Sequence, residues 1–318
     1  MRLRPGVPVL RGPDGSTHVG WATRLNLGVL SERDAAAVEG LEASHLITAS
    51  ADVAAPLAHT LTRAGLLEPS GPHHGRATPA QALTEARVLV RGLTAVGRAC
   101  ARALAECGAG TLMLDDPAPV RPRHSSHAAG TATRAGQLAK HLTGMVGQGM
   151  VGQGIAEQVP VGQVTVGARG PQHADLGVVV ATALPVTMVR DLMAADLPHL
   201  IVTCDEDGAT VGPLVVPGST PCAMCLALHA ADDDPDWPAL ALQYATRTPA
   251  VTPIVAHVAG ALAAEAIVAH LGGEDRNPWR VDSAGVSTVA MPEPHPDCGC
   301  GASGGRTDDV ASRRSRRD

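Results

Sequence analysis

Four of the seven cysteines fall in two close pairs, Cys222-Ala223-Met224-Cys225 and Cys298-Gly299-Cys300. If these pairs act together, any fold open to the chain must bring them to one point across a long intervening stretch. The N-terminus shows no secretory h-region, so close cysteine spacing reads as metal ligation rather than disulfide bonding. Two pairs of soft thiolates suit a tetrahedral structural Zn²⁺ held by Cys222, Cys225, Cys298 and Cys300, a closed site with no catalytic position. The second pair has one intervening residue instead of two, and the nearby His295 could replace one sulfur. Buried free cysteines are the alternative reading. Cys100, Cys107 and Cys204 lie in helix or strand patterns and read as small core residues.

The stretch from 85 to 300 alternates strand-like and helix-like runs, the pattern of an α/β sheet domain. Strands are expected over 87–90, 111–114, 163–166, 176–180 and 200–203, a helix over 97–107, and a long helix over about 252–271. After the first strand comes Gly92-Leu93-Thr94-Ala95-Val96-Gly97, and the second strand ends at Asp115-Asp116. A dinucleotide fingerprint puts glycines where the chain must turn sharply and approach phosphate, and an acid where a ribose hydroxyl is gripped. Here the outer glycines remain, while Thr94 and Ala95 stand where glycine would let phosphate come close. Two readings stay open: a nucleotide site, or a Rossmann-like core kept for packing. A nicotinamide-dependent oxidoreductase would rest on the glycine turn alone, with no proton-donor constellation beside it.

Residues 1–75 read as a separate module. Three short strands are expected over 7–10, 17–21 and 25–30, with a Gly12-Pro13-Asp14-Gly15 turn between the first two. Ser31 is a good N-cap for a helix carrying acids in its first turn, and a second helix is expected from about Ser50 through Leu57, Leu61 and Leu67. Three strands with helices suit a winged-helix-like, peptide-binding α+β module. Residues 76–84 read as linker, part of a stretch whose His73-His74 is solvated rather than metal-binding, and 301–318 as a disordered tail. The repeat Met145-Val146-Gly147-Gln148-Gly149 and Met150-Val151-Gly152-Gln153-Gly154 is too glycine-rich for a good helix.

Composition removes several function classes. There are three Trp, one Tyr and no Phe, so base stacking is an improbable binding mode and the core must come from Leu, Val, Ile and Ala. Net charge is −6, and the run Arg313-Arg314-Ser315-Arg316-Arg317 sits in the tail; no nucleic-acid partner is expected. No stretch of about eighteen apolar residues is read, so no membrane span is predicted and a cytoplasmic protein is expected. His229, His257 and His270 sit in helix-like stretches and read as core or surface positions. Ser219-Thr220 is a loop, not a nucleophile elbow.

Taken in order, the glycine turn, Gly108-Ala109-Gly110, Asp115-Asp116, Cys222/Cys225, the small-residue helix Pro253 to Leu271 and the last cysteine pair resemble the ThiF/MoeB family, relatives of ubiquitin-activating enzymes. The resemblance covers about 85–300. It implies an ATP-dependent adenylyltransferase, a homodimer, that activates the C-terminal carboxylate of a ubiquitin-like protein or peptide. Gly92 and Gly97 would then face phosphates, Asp116 or Asp115 would hold the ribose, and Arg134 would stand where the family carries a lysine; Arg121 and Arg123 are the nearest candidates for a further family arginine. The family's second aspartate, which holds Mg²⁺-ATP before the helix that Arg190 starts, has no counterpart in Ala181 to Val189. A hard cation wants carboxylate oxygen. Pro198-His199-Leu200, the stretch Val211 to Gly218, Asp234-Pro235-Asp236-Trp237-Pro238 and His295-Pro296-Asp297-Cys298 further resemble ThiF-like proteins found with YcaO peptide-modifying enzymes. That narrower resemblance implies capture of a precursor leader peptide by strand addition and its presentation to a YcaO-type partner, with ATP chemistry degenerate.

Overall fold

A computed structural model describes residues 2–3, 7–22, 24–43, 55–64, 66–68, 79–119, 133–147, 163–167, 170–247 and 251–302. The chain divides into two compact units, Met1–Arg76 and Ala77–Asp318.

In the first unit, β1 (Arg2–Leu3) pairs antiparallel with β5 (Leu67–Glu68), a pairing that the sequence reading did not anticipate. A separate three-stranded antiparallel sheet runs in the order β2 (Val9–Arg11), β3 (Thr17–Val19), β4 (Leu25–Asn26). Helices α1 (Glu32–Ala43) and α2 (Ala55–Arg63) complete it. The Ser31 hydroxyl accepts the Asp34 N–H at 3.1 Å, the expected cap. The core is aliphatic: Leu3, Val19, Val38, Leu41, Leu61 and Leu66 are buried together. Residues 44–54, which include the expected start of the second helix, lie outside the described residues, as do His73 and His74.

The second unit begins with α3 (Pro79–Glu85), inside the segment expected to be linker. Leu83 explains it: the side chain is buried against the main core, so the segment has an apolar anchor that its flanking composition hides. Then follow β6 (Arg87–Arg91), α4 (Ala95–Glu106), β7 (Thr111–Asp115), α5 (Arg134–Gly147), β8 (Gln163–Val166), β9 (Leu176–Thr182), α6 (Arg190–Ala194), β10 (His199–Cys204), β11 (Gly208–Val215), α7 (Ala223–Asp233), α8 (Trp237–Tyr244), α9 (Pro253–Leu271), β12 (Trp279–Asp282) and β13 (Gly285–Thr288). They build one eight-stranded sheet in the order β13-β12-β11-β10-β9-β6-β7-β8. Strands β10, β9, β6, β7 and β8 are parallel; β11, β12 and β13 extend the sheet antiparallel. Near-continuous burial along β9 and β10 is the mark of strands covered on both faces.

Helix α9 shows why the expected absence of a membrane-length apolar stretch needs correcting. Over Pro253–Leu271 it is long and apolar enough to cross a membrane, with a mean hydropathy of 1.8. It packs instead in the main core, where Ala256, Ala259, Ala263 and Ile267 are buried with Val96, Cys100 and Leu104 of α4. Thr252 caps it, accepting the Val255 N–H at 3.4 Å, and Pro253 opens it. Met145 to Gly147 end α5, so the first copy of the repeat starts in a helix; the rest of the repeat lies outside the described residues, as do Arg121, Arg123 and 303–318.

Candidate functional site

The strand order reverses beside β6. From β6 the chain moves outward through β7 to β8, then returns to β9 on the other side of β6. At such a switch point the loops leave in opposite directions and open a crevice at the carboxyl ends of the strands. A cavity of about 520 Å³ lies there, lined by Arg91, Gly92, Thr94, Asp115, Asp116 and Arg134 and, across from them, by the end of β9. That volume suits a small-molecule site.

The two glycines are required by the backbone itself. Gly92 has φ +83°, and a Cβ there would sit 2.0 Å from the Val180 carbonyl oxygen of β9. A Cβ on Gly97 would sit 2.1 Å from the Gly92 carbonyl oxygen. Both positions are needed for backbone to pass backbone. Gly92 lines the cavity, and Gly97 lies one helical turn further on, in the first turn of α4. The sequence could not separate these uses, because close approach to a carbonyl and close approach to a phosphate both demand the missing Cβ.

The acid pair is likewise engaged. Asp116 is 8% exposed, and its carboxylate accepts the Leu93 N–H at 2.7 Å and the Ala118 N–H at 2.9 Å, with Arg134 at 3.5 Å. It holds the glycine turn to the loop after β7. Asp115 is paired with Arg91 at 2.8 Å. Arg91 also reaches Asp191 at 2.7 Å and donates to the Met188 carbonyl. The Asp191 partnership raises Arg91 above its ordinary value, and Arg91 holds the Asp191 carboxyl below the usual carboxylate range. Arg91 and Asp191 were not singled out from sequence; the one signal was an arginine ending a buried strand immediately before a glycine turn. Arg190 does start α6, as expected. Between Ala181 and Val189 no carboxylate faces the cavity, and the described lining offers Mg²⁺ no uncommitted acid. The cavity has room for a small-molecule ligand, and its two described carboxylates are engaged by Arg91, Arg134 and backbone amides.

The structure brings the four paired cysteines together. Their sulfurs all lie within 4.8 Å of one another, with Cys222 to Cys298 at 3.7 Å, Cys225 to Cys300 at 3.5 Å and Cys222 to Cys225 at 4.0 Å. A tetrahedral ion with Zn–S bonds of about 2.3 Å requires sulfurs about 3.8 Å apart, so the donor set and spacing fit Zn²⁺. Cys222 is the N-cap of α7, while Cys298 and Cys300 lie in the turns beyond β13. Burial pushes the Cys222 and Cys298 thiols up, a penalty that a divalent ion would invert. His295 does not stand in for a sulfur. Its Nδ1 accepts the Asp297 N–H at 3.1 Å and its Nε2 donates to Asp232 at 2.8 Å. With His229, whose Nε2 donates to the Glu293 carbonyl at 3.0 Å, it pins the segment carrying Cys298 and Cys300 against α7.

Cys100 and Cys204 are buried, their thiols pushed up to about 12, as inert core residues should be. Cys107 is exposed, against expectation: α4 stops one residue earlier, at Glu106, and the C-cap position turns away from the core.

No family model and no curated protein matches the chain. Solved structures do. E. coli MccB with ATP aligns at a TM-score of 0.59 and 18% identity, covering 94% of this chain and 99% of that one. The microcin C7 biosynthetic enzyme MccB in complex with N-formylated MccA aligns at a TM-score of 0.60 and 18% identity, covering 94% and 99%. PaaA aligns at a TM-score of 0.53 and 11% identity, covering 91% and 99%. At these identities the likeness establishes the architecture: the second unit carries a Rossmann-like, ThiF-like fold.

Proposed function

We propose that this chain binds a precursor peptide during the maturation of a peptide natural product and presents it to a partner modifying enzyme of the YcaO type, without adenylating it. The observation that carries the second half is the state of the switch-point carboxylates. Asp115 is neutralised by Arg91, and Asp116 is committed to two backbone amides. Adenylyl transfer relies on positioned cations, and among the described residues of the cavity wall both carboxylates are already engaged. Peptide binding is supported by the fold shared with MccB, one of whose structures is a complex with MccA.

On this reading residues 1–75 form a winged-helix-like module that captures the leader by strand addition. Strand β4 is an edge strand with no second partner among the described residues. Main-chain hydrogen bonds would supply affinity and side-chain pockets specificity. Cys222, Cys225, Cys298 and Cys300 hold a structural Zn²⁺, and the functional protein is a homodimer.

Isothermal titration of the full chain with synthetic precursor peptides carrying a leader segment tests the first half; absence of binding by folded protein refutes it. A pyrophosphate-exchange assay with Mg²⁺-ATP and that peptide tests the second. Exchange above background, lost in Arg134→Gln, would establish the adenylating reading, which the 520 Å³ cavity favours by its size.

A further inference from the structure

The four cysteines of the candidate zinc site are unequally shielded. Cys222, Cys225 and Cys298 are buried, and Cys300 alone of the four is partly exposed. It stands between two glycines. A Cβ on Gly299 would meet nothing within 4 Å, and Gly301 turns the chain with φ +83°. A small solute therefore approaches the cluster from the Cys300 side, where the backbone has room to shift.

The closest sulfur contacts lie across the two sequence pairs, not within them. Cys225 is 3.5 Å from Cys300 and Cys222 is 3.7 Å from Cys298, against 4.0 Å between Cys222 and Cys225. Each of the two shortest contacts joins α7 to the C-terminal segment. That segment is also held by bonds that need no ion. His295 Nε2 donates to Asp232 at 2.8 Å, His229 Nε2 donates to the Glu293 carbonyl at 3.0 Å, and the Cys298 N–H donates to the His295 carbonyl at 3.0 Å. Without its ion the cluster keeps its sulfurs in reach of one another. A disulfide has its sulfurs about 2.05 Å apart, so the Cys300 sulfur has about 1.5 Å to travel towards Cys225.

We propose that Cys300 is an oxidation site through which hydroperoxides convert the zinc staple into a disulfide staple, with Cys225 joined to Cys300 and Cys222 to Cys298. The Cys300 thiolate attacks one peroxide oxygen; the O–O bond breaks, hydroxide leaves and a sulfenic acid forms. The Cys225 thiolate then attacks that sulfur; the S–S bond forms, the S–O bond breaks and a second hydroxide leaves. Two thiolates have given two electrons to one peroxide. A second peroxide does the same for Cys222 and Cys298, and Zn²⁺, left without ligands, is released. A dithiol reductant returns two electrons to each disulfide and restores the four ligands. Helix α7 and the C-terminal segment stay cross-linked in both states. Pairing within Cys222–Cys225 and within Cys298–Cys300 would instead cut them apart. The inference rests on the zinc reading above and is independent of peptide binding.

The test uses the full chain with Cys107→Ser, which removes the exposed thiol outside the cluster. Zinc is measured first. Limiting iodoacetamide is expected to label Cys300 about tenfold faster than Cys222, Cys225 or Cys298, since access controls thiol reactivity. Hydrogen peroxide should then release the zinc, read with a pyridylazo-resorcinol indicator, at about two peroxides per ion. Non-reducing peptide maps should show Cys225–Cys300 and Cys222–Cys298, with Cys100 and Cys204 still reduced. The oxidised chain should melt above the reduced, metal-stripped chain, and dithiothreitol with Zn²⁺ should restore the starting form. Faster labelling of a buried cysteine, disulfides within the sequence pairs, sulfinic acids without disulfides, or zinc retained under peroxide would each overturn the proposal. A chain purified without zinc refutes the metal reading, and the labelling order and disulfide map then still score Cys300 and the cross-pairing by themselves.

Discussion

Replacing Arg91 by methionine should cost the second unit about 3 kcal/mol. Methionine keeps most of the apolar stem, so the change isolates the guanidinium. In the native chain that group bridges Asp115 at 2.8 Å and Asp191 at 2.7 Å. Arg91 and Asp115 are 16% and 19% exposed, a pair mostly shielded from water. Breaking a fully buried pair costs about 3–5 kcal/mol, because one charge stays behind uncompensated. The partial exposure brings the Asp115 arm to about 2 kcal/mol. Asp191 is 46% exposed, and its arm is worth at most about 1 kcal/mol. For a unit of this size, 3 kcal/mol corresponds to a fall in Tm of roughly 6–12 °C. The pH dependence gives a second, sharper reading. Arg91 depresses the folded pKa of Asp191, so this contribution is complete above the unfolded value of about 3.9 and is lost as pH falls through the lower folded value. Urea unfolding of both proteins, followed by far-UV circular dichroism, should show the full gap at pH 7 and a narrowing gap below about pH 4. A gap under about 1 kcal/mol at pH 7, or one that does not narrow in acid, would refute the account of this ion-pair triad.

Three further outcomes are expected. Purified protein should contain about one zinc per chain, and Cys222→Ser should lower both metal content and thermal stability, because ligation is linked to folding; normal zinc in the variant would remove this sulfur from the site. Asp116→Ala should destabilise by about 2–4 kcal/mol whether or not ATP binds, since it leaves the Leu93 and Ala118 amides without an acceptor, a cost readable by denaturant unfolding. Thr252→Ala should cost about 1 kcal/mol through the lost cap of α9, and a change below about 0.3 kcal/mol would show the 3.4 Å bond to be unimportant.

What could be read from the chain was local. The spacing Cys-x-x-Cys and Cys-x-Cys names a soft-ligand set whatever encloses it, and the alternation of strands with small-residue helices follows from side-chain periodicity alone. Gly92 and Gly97 announced tight backbone, because only a missing Cβ allows it. Tertiary structure decided what each of these is for. It set the carbonyls of Val180 and Gly92 against the two glycines. It joined Arg91 to Asp191 across one hundred residues, a relation that no window along the chain contains. It also put Cys107 outside and Leu83 inside. Periodicity reports which face of an element is apolar. Whether a charge is matched depends on which distant strand ends the sheet order brings together, and that order is fixed by the packing of the whole core.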